Sequence, residues 1–289
     1  MKRLAKGIGV FLLAAASFGL SGALAAPPDA RSGTQIMAEV ARRHRDFPRV
    51  FEIQTMILTD RQGRKDTRKL RRFYAIEPDQ SEKLLMAIDQ PAEVRGVILK
   101  LIQTSGKPSR CRIFLPALGR DVSAGSDAKG QGIMGTDLTL ADLMEDHAAF
   151  EYARKKDLVM SRVPYFVVEG RNGNGVRVHF IRKDNFVITR TDFYTPGLRL
   201  VKRLSRHDLR QTDQAMWHAG MVLMENLQTG HATLIKTDRL VLSRDYVPDA
   251  LFDMDWQRLT RYLYEDTGPS SEQEPGINPE PQNPKGKIP

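Results

Sequence analysis

Between residues 50 and 242, short segments rich in β-branched and large apolar residues follow one another, and turn residues close each of them. Residues 50–59 end at Asp60-Arg61-Gln62-Gly63, 65–77 at Pro78 to Ser81, and 110–115 follow Ser105-Gly106-Lys107-Pro108. Further segments fall at 83–89, 97–103, 158–171, 176–182, 187–194, 198–208, 221–228 and 231–242. Asn172-Gly173-Asn174-Gly175 is a strong hairpin signal, and Pro196-Gly197 and Thr229-Gly230 supply two more turns. Such punctuation predicts an antiparallel meander of about ten strands.

About three helices join them. Ile36, Met37, Val40 and Ala41 recur at helical spacing behind Ser32 or Thr34 as a cap. Thr139 and Asp142 form a capping box ahead of Leu140, Leu143 and Met144. A last helix over 255–264 carries Leu259, Tyr262 and Leu263. The fold class expected is mainly β with a few helices (α+β). A large antiparallel sheet with so few helices curls into an incomplete barrel, and the helices cover its apolar concave face. A loose cover would leave a cavity suited to acyl chains, at about 0.8 kcal/mol per buried methylene.

The ends differ from the middle. Lys2, Arg3 and Lys6 precede an apolar run, and Ala23-Leu24-Ala25 gives a small-x-small cleavage signal. Residues 1–25 therefore read as a cleavable signal peptide, the run being shorter than the roughly 20 residues of a spanning helix. The mature chain is expected to be periplasmic and not membrane-spanning, with no cysteine at the cleavage site to carry lipid. Residues 26–266 form the expected domain. Residues 267–289 hold six of the 16 prolines and read as a disordered tail.

The formal net charge is +9, and removing the leader's three positive and no negative charges leaves +6. For an exported chain this favours an anionic membrane surface or headgroup over nucleic acid. Cys111 is the single cysteine, so no internal disulfide forms, and its strand position predicts burial.

Catalytic and metal signatures are scarce, and the expectation is a non-enzyme with no catalytic residue, cofactor or metal. The six histidines are scattered, with no His-Glu-x-x-His. Ser126-Asp127-Ala128-Lys129 matches Ser-x-x-Lys but lies in a glycine-rich loop without the companion motifs. Asp249, Asp253 and Asp255 suit helix capping better than calcium.

Residues 112–145 read RIFLPALGRDVSAGSDAKGQGIMGTDLTLADLME. A strand closes in Leu115-Pro116-Ala117, Arg120 follows, and a glycine-rich loop leads through Met134-Gly135-Thr136-Asp137-Leu138 to Asp142 and Leu143. This resembles the LolA-like outer-membrane lipoprotein-sorting proteins. The stretch from Gln90 through Pro91 and Gly96 to Val97, and that from Glu225 through Asn226, Thr229 and Gly230 to Thr233, resemble two further motifs of that family. Where the family pattern has aromatic residues, this chain has Leu138 and Leu140-Ala141.

The resemblance implies a curled sheet with a helical lid over an apolar cavity. It also implies a carrier or chaperone that moves lipid or lipoprotein acyl chains between membranes in outer membrane biogenesis, with an inner-membrane transporter as a further partner. Strand parity offers Phe51, Ile53, Ile57, Leu84, Met86, Ile88, Val97, Leu99 and Leu101 as cavity lining. Met134, Leu138, Leu140, Leu143 and Met144 are offered as lid, and Arg112 and Arg120 as headgroup or partner contacts. Alternative readings are a periplasmic regulator of the RseB type binding an inner-membrane partner, and an unrecognised hydrolase.

Overall fold

The computed structural model describes residues 29–104, 107, 109–123, 132–143 and 149–265. The expected signal peptide, the expected tail, the Ser126–Lys129 pair and Met144 lie outside them. The described residues from Ser32 onward fall in one compact unit.

Helix α1 (Gly33–Arg45) begins where the sequence places it. The Ser32 hydroxyl accepts from Gln35 N at 3.2 Å, and Ser32 N donates to Gln35 Oε1 at 2.8 Å, a complete capping box. Four consecutive basic residues from Arg42 to Arg45 suit its C-terminal end.

Among the described residues fourteen strands then make one antiparallel sheet. Strands β1 (Arg49–Thr59), β2 (Lys65–Ile76), β3 (Glu82–Gln90), β4 (Ile98–Gln103), β5 (Arg110–Leu115) and β6 (Arg120–Ser123) step outward from its middle to one edge. The chain re-enters at the opposite edge with β7 (Glu151–Arg154). It returns through β9 (Val163–Asn172), β10 (Gly175–Arg182), β11 (Ile188–Tyr194), β12 (Leu200–Gln211) and β13 (Trp217–Asn226) to β14 (His231–Val241), which pairs with β1. Short β8 (Leu158–Met160) pairs only with β9. The sheet does not close, so the expected incomplete barrel is the fold observed.

The segment expected as one strand over 158–171 is two strands and a turn. Met160 pairs with Val163 across Ser161 and Arg162, which have φ of 48° and 66°. Two consecutive positive φ values fit a two-residue type I′ hairpin built without glycine, the residue that marks such turns in sequence.

The helices do not all cover one face. Helix α1 packs on Phe166, Val168, Ile181 and Phe186, on what is here called the inner face. Helix α3 (Trp256–Tyr264), capped by Asp255, covers the outer face of β1–β4 instead. There Leu259, Leu263, Leu251 and Val247 meet Phe51, Phe73, Leu85 and Ile98. This corrects the expectation that all helices lie on the concave side. The reason is visible in β3, whose Leu84 through Ile88 are all buried: a strand apolar on both faces needs cover on both. Arg71, 2% exposed, fastens this outer layer. It donates to both Asp89 oxygens and to the Leu263 carbonyl at 2.8 Å, opposite the free end of α3.

Candidate functional site

Because β6 and β7 are opposite edges, the chain between them must pass from one side of the sheet to the other. Its described part, residues 132–143, lies across the inner face. Gly132 is required there, because a Cβ would stand 1.7 Å from Thr136 O. Met134 and Gly135 have φ of 50° and 78°, and Ile133 N donates to Leu138 O at 2.8 Å, closing a tight loop. Helix α2 (Leu140–Leu143) is a single turn. Asp142 takes Thr139 N at 2.9 Å, and the Thr139 hydroxyl also donates to it, so only half of the expected capping box forms.

Polar contacts stitch this crossing to both halves of the sheet. Arg68 of β2 donates to Met134 O at 2.6 Å. Asp137 accepts from Thr233 Oγ1 of β14 at 3.1 Å and Asn226 Nδ2 of β13 at 3.2 Å, and its own N–H donates to the Thr233 hydroxyl. Lys202 of β12 meets Asp142 at 2.7 Å, with Arg177 of β10 at 3.8 Å. The sequence motifs therefore meet in space. Gly135-Thr136-Asp137 is held by the Asn226 and Thr233 of the second motif, and Gly96 lies where a Cβ would press on Pro116 of the first at 3.3 Å.

Beneath the crossing, between α1 and the inner face, lies a cavity of about 940 Å³. Its apolar wall includes Val40, Phe47, Met86, Leu138, Leu143, Phe186, Ile188, Leu204, Val222 and Ile235. Its β1–β2 wall is polar. Buried Glu52 accepts from Arg72 Nη1 at 2.6 Å and from Gln54 Nε2 at 3.2 Å, and Thr237 approaches it from β14 at 3.4 Å. The Gln54 amide nitrogen is thereby fixed on the carboxylate, and its Oε1 is left with no partner. His44, Tyr74 and His218 also line the space, with His44 Nε2 3.1 Å from the Tyr74 hydroxyl. Burial pushes the Tyr74 phenol well above its ordinary range, so it stays protonated.

The nine candidate lining residues fall on two faces. Val50 pairs with Tyr74 and Tyr74 with Leu84, so the even positions of β1 share the face of Leu84 and Met86. Phe51 and Ile53 therefore stand on the outer face under α3, with Ile57 on the same side. Leu84, Met86, Ile88, Leu99 and Leu101 are buried on the inner face, Val97 half-buried beside them, and only Met86 of the nine borders the cavity. Parity relates residues within one strand, and only the register across the turns sets which strands' residues share a face. Of the lid set, Leu138 and Leu143 border the cavity, while Met134 and Leu140 pack against the inner core of β1–β5. Arg112 pairs with Asp121 across β5 and β6, and Arg120 is exposed on the edge strand.

Sequence reasoning missed the polar wall. Its signal was present: Glu52 and Gln54 interrupt the inward positions Val50 and Met56, and Arg72 has the same parity as Tyr74. Cys111 is buried, and burial pushes its thiol up to about 11, which fits a packing role. Among the described residues no three His, Cys, Asp or Glu side chains gather as a metal site.

The comparisons agree with this architecture. No curated protein matches the chain in sequence. An outer membrane lipoprotein-sorting protein domain from Vibrio parahaemolyticus superposes with a TM-score of 0.70 at 23% identity, covering 77% of this chain and 98% of that one. A DUF1329 family protein from Desulfovibrio piger gives 0.69 at 19%, covering 75% and 96%. A LolA superfamily protein from Nitrosomonas europaea gives 0.61 at 14%, covering 78% and 100%. A family model described as "Uncharacterized protein" matches residues 80–256, more than half of the chain. The chain belongs to that family, and its curled, open sheet is a LolA-like fold.

Proposed function

We propose that the chain is a periplasmic carrier that holds the acyl chains of a lipid or lipoprotein in the inner cavity while they pass between membranes. The observation that carries this reading is the cavity itself. At about 940 Å³ it falls within the roughly 300–1,000 Å³ of small-molecule sites. Its apolar wall suits hydrocarbon, at about 0.8 kcal/mol per methylene buried. Its polar wall gives a headgroup an acceptor in the unpaired Gln54 Oε1. The crossing is tied down by hydrogen bonds and ion pairs, which can open and re-form. The LolA-like fold and the sequence's export signal are consistent with the compartment and the role.

Val222→Trp puts a large side chain into the apolar wall. Uptake of a fluorescent fatty acid is expected to fall by about tenfold or more, for loss of a few buried methylenes, with little change in thermal unfolding. Undiminished uptake would place the ligand elsewhere.

A further inference from the structure

The structure assigns a membrane-docking rim to one end of the strands, formed by the β8–β9 hairpin and the mouth of the cavity, with an anionic lipid surface as its partner. Val159 is 72% exposed and Leu158 42%, on a two-residue hairpin that no other strand covers. Exposed apolar side chains at the tip of a rigid turn suit insertion among headgroups.

Register places this tip at the same end of the strands as the turns that border the cavity. Tyr165, just past the hairpin, pairs with Arg182, so the 183–187 turn lies at the same end. Gln211 pairs with Trp217 there, at the far end of β12. Asn185–Ile188 and Gln214–Ala219 border the cavity, as does the C-terminal end of α1. Trp217 itself is 37% exposed, an amphipathic ring at the β12–β13 turn of this end.

Around the β8–β9 tip the charge has the sign an anionic surface requires, while Asp213 stands exposed in the neighbouring β12–β13 turn. Asp157 is taken up by Arg154 and Lys183, and Asp184 by Arg182. Exposed Lys156 and Arg162 flank the apolar tip, with no ion pair, and Arg45 stands exposed at the end of α1. Each basic residue near an anionic leaflet strengthens the attachment. Apolar tip, indole and unpaired cations together favour a lipid surface over a protein groove.

Flotation of the full chain with vesicles tests this. Binding is expected to phosphatidylglycerol vesicles, weak or absent on phosphatidylcholine, and released by salt. The double variant Leu158→Ser with Val159→Ser should bind at least about tenfold more weakly, and Lys156→Glu with Arg162→Glu likewise. All four positions are exposed, so unfolding temperature should not move. Variants that bind like the original chain would overturn the assignment. So would failure to bind phosphatidylglycerol vesicles, including the case where only membranes containing native proteins are bound. Fatty-acid uptake in solution should be unchanged in these variants, so loss of docking and loss of the cavity reading are separate results.

Discussion

At the scale of single residues, the fold relies on carboxylates held between cations. Burial works against the charge on Asp192, 2% exposed, but hydrogen bonds from Arg190 and Arg203 outweigh it and hold the carboxyl below its usual range. Asp157 and Glu169 are depressed in the same way, each against burial and by two basic partners. A group whose pKa is lower when folded stabilises the fold above its unfolded pKa and loses that contribution as pH falls through the folded value. The unfolding temperature should therefore be level near neutrality and drop below about pH 4. Asp192→Asn should cost about 1–3 kcal/mol at pH 7 and make the acid loss shallower in thermal melts. An unchanged acid slope would show that Asp192 does not contribute to it. Residue identities of this kind were partly legible: the strand position of Cys111 predicts its burial, and Arg72 shares the parity of Tyr74. The pairing of Glu52 with Arg72 was not, because it depends on which residues face each other across β1 and β2.

At the scale of elements, the described part of the crossing between β6 and β7 borders the cavity through Leu138, Asp142 and Leu143. Its anchors come from strands distant in sequence: Arg68, Asn226, Thr233, Lys202 and Arg177. Asp137→Ala removes the acceptor shared by Asn226 and Thr233 and leaves the buried Thr233 hydroxyl without it, at about 1–3 kcal/mol. Backbone hydrogen exchange in residues 133–143 should quicken by roughly 10-fold to 100-fold, while β1–β3 keep their protection. Equal protection in the crossing would mean that Asp137 does not hold it. The sequence showed that this segment was unusual, through its glycines and Thr139-Leu140-Ala141-Asp142. It could not show the sheet order that makes the segment span the inner face. Most strands were legible from period-two patterning. Short β6, β7 and β8 were not, since three or four residues give too little pattern.

At the scale of the whole molecule, two meanders share a central pair, β1 and β14, and curl round a space that α1 and the crossing roof. The architecture was readable from turns and alternation, and the family motifs marked the roof. The lining was not, since Phe51 and Ile53 differ from Val50 and Glu52 only in which face the register gives them. In the proposed function this space holds hydrocarbon. Native mass spectrometry of protein purified from the periplasm of an exporting host tests that most directly. The expected result is a population carrying one acyl lipid, stripped by delipidation and restored by added fatty acid. Protein that emerges free of lipid, and takes up none when it is offered, would contradict the account.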